Sequence, residues 1–476
     1  MIIIGAGPAG LGAAHELTAR GVRPLVIEKA GKAGGIARTE IHNGHRFDIG
    51  GHRFYTKCDE VRRLWQETLG DDFIEVSRQS RIFYRGRFIK YPLELTDTIR
   101  CLGPVESFLI LLSYLKTRAL PPRGEETFEQ WMTRRFGARL YRTFFKTYTE
   151  KIWGIPCNVL QADWAAQRIR GLSLTAAVRS AVFGSTGATS LIKEFRYPTL
   201  GPGMMWQRFE QAVRERGGQV RMNAEVGRLH HEAGRITNVV VREAGGEAEV
   251  PAEHVISSMP LTELAERLSP PAPGDVLRAA AGLKYRAFVM AALIVDRADL
   301  FSDNWIYVHD PSVKVGRIQN FKNWSAAMVA DPAKTCVGME YFCAEDDELW
   351  TTDDAALLDL AARELATLGL AERAEIEDGA VVRQPMAYPV YDAGYAARVA
   401  VVRDFAATLG NLQTVGRNGM YRYNNQDHSM LTGMLAARNL LGERHDLWRV
   451  NAERSHGEAV APNARPAVTA PGGPPQ

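Results

Sequence analysis

Three glycines in fixed register carry the first chemistry in this sequence. Gly5, Gly7 and Gly10 follow directly on the β-branched run Ile2-Ile3-Ile4. Such a run entering GxGxxG reads as a buried parallel strand that turns tightly into a helix. Gly5 permits the turn, Gly7 admits a pyrophosphate close to the backbone, and Gly10 lets helix and strand pack closely. The helix N-terminus then offers free amides and partial positive charge to phosphate. Glu28 closes the next strand, Pro24-Leu25-Val26-Ile27-Glu28, eighteen residues after Gly10, where a carboxylate can accept from ribose hydroxyls. Alone, each glycine is only a turn residue. In register with strand, helix and terminal acid they predict a dinucleotide site.

The elements that must position this site are spread along the chain. Residues 1–60, 201–280 and 405–445 are expected to form one discontinuous, Rossmann-like α/β domain. Val255-Ile256-Ser257 and Leu412-Gln413-Thr414 read as strands returning to it, and Met430–Leu441 as its last helix. Residues 61–200 read as a mainly helical insertion, with apolar residues at helical spacing over Val61–Leu69, Leu95–Lys116 and Thr127–Thr147. A hairpin at 81–92 interrupts it. Gln219–Val226 and Thr237–Val241 read as strands, and 281–404 as a strand-rich substrate domain. The tail 455–476, rich in Ala, Pro and Gly, reads as disordered.

Bulk composition narrows the class. A charge of +3 gives no case for nucleic acid, and 46% hydrophobic with 24% charged residues is ordinary for a globular protein. Five scattered cysteines without CxxC or a histidine cluster predict no metal site and a reduced, cytoplasmic protein. The first residues are already the first strand, so no signal peptide is expected. The apolar run Phe108–Leu112 is too short to span a bilayer and reads as a core helix, or as a surface helix docking a membrane or second subunit.

Two further glycine segments resemble a large FAD-binding family that includes amine oxidases and protoporphyrinogen oxidases. They are Gly34-Gly35-Ile36-Ala37-Arg38-Thr39 and Asp48-Ile49-Gly50-Gly51-His52. The resemblance implies non-covalent FAD held by Gly5, Gly7, Gly10, Glu28, Gly34, Gly35, Arg38, Gly50 and Gly51. Glycines there let the backbone run close under a flat flavin.

Within that family, several colinear segments resemble UDP-galactopyranose mutase. They are Asp48–His52, Tyr148-Thr149-Glu150-Lys151-Ile152-Trp153-Gly154, Leu283–Arg286, Val315-Gly316-Arg317, Tyr388-Pro389, and Arg422-Tyr423-Asn424-Asn425-Gln426-Asp427-His428-Ser429. The resemblance implies a nucleotide-sugar pyranose/furanose mutase in which reduced flavin N(5) attacks the anomeric carbon with no net redox change. It places Arg168 and Arg317 on the pyrophosphate, where a planar guanidinium grips phosphate oxygens bidentately. Tyr307, Tyr388 and Tyr423 would complete that grip, His52 would lie near the flavin, and Trp153 and Trp305 would wall the site. Gly416, Arg417, Asn425, Gln426 and Asp427 would lie on FAD, although Asp427 or Ser429 also suits an ordinary helix cap. Tyr91 and Glu94 fall in the segment that reads the nucleobase. An amide is usual at the Glu94 position, and an ionised acid there suits a base offering donors rather than uracil.

The implied partners are a nucleotide sugar and an electron donor such as NAD(P)H or a reductase; a homo-oligomer is compatible with the sequence. The alternative in the same fold is an oxidoreductase resembling amine or protoporphyrinogen oxidases and acting on a sugar or other small molecule. Paired arginines suit it poorly. Rab GDP-dissociation inhibitors share the architecture without flavin, and the intact glycine motifs argue against that class.

Overall fold

The computed structural model describes residues 1–91, 95–162 and 194–451. Ile2–Ile4 lies at the centre of a five-stranded sheet, in the order Leu412–Thr414, Val255–Ser257, Ile2–Ile4, Leu25–Ile27 and Gln219–Arg221. Every pairing is parallel. The triplet Ile2-Ile3-Ile4 is buried throughout, as a parallel strand covered on both faces must be. The expected strand Gln219–Val226 is in fact two. Asn223 turns at φ +54°, and the chain leaves as Glu225–Glu232 in a separate four-stranded sheet with Gly246–Pro251, Arg235–Glu243 and Leu268–Ser269.

Two helices cover one another over the strand ends. Pro8–Thr18 and Gln426–Leu440 meet with backbones almost touching: a Cβ at Gly433 would lie 1.9 Å from Ala9 O, and one at Gly12 would lie 2.9 Å from Met430 O. Arg438 fastens the same helix to Glu16 and Glu60, joining it to Pro8–Thr18 and to Asp59–Leu69.

A seven-stranded sheet carries the other half of the molecule, ordered Ile376–Pro389, Tyr285–Val295, Thr335–Cys343, Arg317–Asn320, Trp305–Val308, Ser80–Tyr84 and Arg87–Lys90. The hairpin expected inside the helical insertion is thus the edge of this sheet, its strand Ser80–Tyr84 running parallel to Trp305–Val308. Arg85 and Gly86 both take positive φ, the two-residue turn whose twist suits a hairpin.

The long helices expected from periodicity are broken. Leu95–Leu102 and Pro104–Ala119 are separated by Gly103 at φ +85°. Phe128–Phe136 ends at Gly137, φ +82°, and the chain resumes as Ala138–Tyr141, a wide turn, and Thr147–Trp153. A Cβ at Gly137 would lie 2.9 Å from Tyr114 Cα, so only glycine serves there. Apolar spacing alone does not register these interruptions.

The loop 309–316 between Trp305–Val308 and Arg317–Asn320 is clamped from both sides. Lys151 Nζ donates to the carbonyls of Asp310 at 2.8 Å, Val313 at 2.9 Å, Val315 at 3.1 Å and Val308 at 3.3 Å. The buried Glu364 carboxylate accepts the amides of Lys314 and Val315 and the Tyr341 hydroxyl. An ammonium has three protons, so the four carbonyls share them. Together they hold the segment that delivers Arg317.

Gly433→Ala gains about 1 kcal/mol of helix propensity but must push the paired backbones apart, so a net loss of at least about 2 kcal/mol is expected in a denaturant melt. Unchanged stability would mean that the helices do not meet there. Lys151→Met leaves buried carbonyls without their donor and is expected to cost about 3 kcal/mol; a melt matching the parent would show the clamp to be dispensable.

Candidate functional site

A cleft of about 790 Å³ opens at the carboxyl ends of the parallel strands, within the size range of about 300–1,000 Å³ for ligand sites. The glycines shape it in different ways. Gly5 takes φ +96° and donates to Ile27 O at 2.8 Å, and a Cβ at Gly10 would lie 1.8 Å from Gly5 O. Gly7 has no such conflict, since a Cβ there would meet nothing nearer than Gly35 Cα at 3.8 Å. Its missing side chain keeps room in the cleft itself. Glu28 accepts the Ala6 amide at 2.7 Å and the Ala30 amide at 2.8 Å, tying the glycine turn to the end of the second strand. Arg38 donates to Gly35 O and to Gln384, both at 2.9 Å.

Of the residues expected on FAD, Gly5, Gly7, Glu28, Gly35, Arg38, Gly416, Arg417 and Gln426 line this cleft. Gly10, Gly34, Gly50 and Gly51 do not line it; Gly10 packs on Gly5 and Gly34 on Arg38. Asn425 and Asp427 sit at the start of Gln426–Leu440 and do not line it. Asn418, Asn424, Ser258 and Ser429 do, and sequence reasoning did not select them. Asn418 Oδ1 and Gln426 Oε1 are buried there without a hydrogen-bond partner. Unsatisfied amide acceptors beside a side-chain-free glycine turn fit a flat ligand with polar edges and a pyrophosphate. The residues present therefore fit FAD.

His52 borders the cleft and leads to a second cluster. Its Nε2 donates to Ile49 O at 2.8 Å, and its backbone carbonyl accepts from Gln426 at 3.0 Å. Burial, then the charges of Arg417 and Arg317, lower its pKa to about 4, so the ring is neutral near pH 7. Asp48, at the head of the same loop, is held by Tyr197 and Thr39, and burial raises its pKa to about 7.

Gly50 marks where the two clusters meet. A Cβ there would lie 3.7 Å from Arg317 Nη2, 3.7 Å from His52 Nε2 and 3.9 Å from Tyr388 Oη. Gly51, beside it, faces the Gln319 amide at 3.6 Å. Arg317 donates from Nε to Glu340 at 2.7 Å, and Glu340 is wholly buried. Burial opposes the guanidinium charge, but the Glu340 carboxylate overrides it and holds the pKa well above the usual value.

Aromatic rings wall this point. Tyr388 stacks on Tyr423 with centroids 5.5 Å apart, Trp153 lies 6.3 Å from each, and Arg417 sits 4.6 Å over Tyr423. Tyr307 meets Tyr91 at 5.2 Å and Trp305 at 6.3 Å. Tyr148 joins the groups, facing Arg317, Tyr307, Glu340 and Tyr388. Burial raises the pKa of both Tyr148 and Tyr388, so their phenols are neutral. Arg317, fixed by Glu340 among neutral phenols, can grip anionic oxygens.

Sequence reasoning missed Tyr148, Glu340 and Arg78, whose guanidinium lies 5.4 Å from both the Tyr91 and Trp305 rings. Glu340 had a signal: it is the lone acid in the apolar run Cys336–Phe342, which calls for a buried cation. Glu94 and Arg168 lie outside the described residues. Among the described residues no group of three or more His, Cys, Asp or Glu could hold a metal, and no helix is long and apolar enough to cross a membrane.

The solved structure of a reduced UDP-galactopyranose mutase superposes with TM-score 0.81 over 94% of this chain and 98% of that one, at 20% identity. A putative protoporphyrinogen oxidase from Exiguobacterium gives 0.70 at 17% identity, covering 95% and 98%. Putrescine oxidase bound to putrescine gives 0.61 at 18%, covering 93% and 98%. At these identities the likeness is one of fold. Among curated proteins, phytoene desaturase of Rhodobacter capsulatus is 39% identical over 72 residues, 15% of this chain and 13% of that protein. Hydrogen cyanide synthase subunit HcnB of Pseudomonas protegens is 35% identical over 83 residues, 17% of each. The chain thus aligns with less than a fifth of the length of these two relatives. Residues 8–441 match the family described as flavin containing amine oxidoreductase, and the chain belongs to that family.

Proposed function

We propose that this flavoenzyme is a nucleotide-sugar pyranose/furanose mutase. The observation that carries the reading is the convergence of Arg317, His52 and Tyr388 on the side-chain-free Gly50, with Arg317 fixed by the buried Glu340. When bound and reduced, FAD supplies a nucleophilic N(5) for the anomeric carbon. The protein must then hold a diphosphate that leaves and returns. Arg317 has five N–H donors and uses only some of its fork on Glu340, leaving the rest for phosphate oxygens. Tyr388 and Tyr148, neutral through burial, donate without adding charge, and Tyr307 and Tyr423 extend the grip. Trp153, Trp305 and Tyr91 exclude water from the sugar and base. His52, neutral and pinned to Ile49, tunes a proton on the ring bound beside it. Arg168 supplies the second cation and Glu94 reads the base. The likeness in fold to the mutase structure supports this reading.

A second reading, an oxidoreductase on a small molecule, is supported by the family description and by the oxidases among its structural relatives. It leaves the free part of the Arg317 fork, held among phenols by Glu340, without a task.

A paired assay on a panel of nucleotide sugars separates the two. With flavin reduced anaerobically, isomerised sugar is expected, with none when flavin stays oxidised and no oxygen consumed. Absence of isomerisation in both arms, with flavin bleached by another compound, would establish the oxidoreductase instead. Arg317→Lys keeps a cation beside Glu340 but loses the fork, so turnover is expected to fall about 100-fold with flavin retained. A near-parental rate would remove Arg317 from the diphosphate.

A further inference from the structure

Helix Pro104–Ala119 buries a narrow stripe, Ile110, Tyr114 and Thr117, against the protein. Its opposite side is apolar and open: Val105 is 72% exposed, Phe108 59%, Leu111 46%, Leu112 45% and Leu115 54%. At about 100° per residue these five occupy a single arc of about 120°, with Arg118 and Lys116 each about 20° beyond one of its edges. Leu120, just past the helix, is 72% exposed. Exposed hydrophobic residues scattered singly are ordinary, but a contiguous face rimmed by charge marks an interaction site.

The rim is basic. Residues 95–123 hold exposed Arg100, Lys116, Arg118 and Arg123, against Asp97 and Glu106. Both acids are engaged within the protein, Asp97 accepting the Lys90 amide and Glu106 paired with Arg139. The helix has 16 residues, too few to span a bilayer, and its cations suit a position in the membrane plane.

We propose that this face docks the protein peripherally on an anionic lipid bilayer. The Val105–Leu115 arc enters the headgroup boundary while Lys116 and Arg118 reach phosphates beside it. The cations beside the arc, unpaired among the described residues and with both nearby acids already engaged, favour an anionic lipid surface, and the test below separates it from a second copy. Docking also bears on the candidate site. Arg87, on the edge strand Arg87–Lys90, donates to Cys101 O in helix Leu95–Leu102, and Tyr91, just after that strand, has its ring 5.2 Å from that of Tyr307. The membrane side is therefore one strand away from the aromatic cluster. This inference does not depend on the mutase reading.

The test mixes the full, flavin-loaded chain with vesicles of phosphatidylcholine alone or with added phosphatidylglycerol, and measures the bound fraction by sedimentation. Binding to the anionic vesicles is expected to be at least about tenfold tighter, and to fall about tenfold or more in Phe108→Ser/Leu112→Ser and in Lys116→Glu/Arg118→Glu. Flavin spectrum and melting temperature should match the parent, since these side chains face outward. Absence of binding to anionic vesicles, or undiminished binding of the serine variant, would overturn the proposal. So would a dimer in light scattering that the serine variant dissolves, which would assign the face to a second copy.

Discussion

A half-buried guanidinium paired with a wholly buried carboxylate is the constraint on which the rest of this structure turns. An isolated charge in such a place would be expelled or neutralised. Arg317 stays because Glu340, on the neighbouring strand, is itself wholly buried and has its second oxygen taken by Gln319. Neither residue is tolerable without the other. The sheet register that sets Arg317 directly across from Glu340 is therefore also the register that aims a cation at Gly50.

Much of the remaining architecture serves to keep that aim. The strand carrying Arg317 is short, and its approach loop is fixed by Lys151 from one side and Glu364 from the other. These buried, charge-assisted bonds matter more than the exposed pairs. Arg242–Glu247 or Arg403–Asp404 lies at the surface, where screening leaves little net gain. On the nucleotide side the equivalent rigidity comes from backbone contact, at Gly10 against Gly5 and Gly433 against Ala9. His52 then spans the two regions through one ring contact and one backbone contact.

Local chemistry made some of this legible. Gly5, Gly10 and Glu28 could be read directly because a tight turn, a close approach and a strand-end acid are each set by neighbouring residues. The helix breaks at Gly103 and Gly137 were visible as residues, yet apolar periodicity runs straight across them. Arg317, His52 and Tyr388 were selected by resemblance, since nothing local distinguishes one arginine among 58 basic residues. Contacts between distant segments were out of reach. The parallel pairing of Ser80–Tyr84 with Trp305–Val308 moves the hairpin into another sheet, and the four carbonyls around Lys151 exist only once that sheet has formed.

The order of strands in the parallel sheet has a consequence for biosynthesis. Ile2–Ile4 emerges first, but its neighbour Val255–Ser257 follows some 250 residues later, and the strand beyond that, Leu412–Thr414, later still. At about 5–20 residues per second, a ribosome needs on the order of tens of seconds to deliver them. Until Val255–Ser257 arrives the central strand has one open, apolar edge, the kind that pairs with other chains. Parallel closure at such sequence separation is slow by its nature. A growing chain of this topology thus depends on protection of Ile2–Ile4 until Val255–Ser257 pairs with it, and of Val255–Ser257 until Leu412–Thr414 arrives.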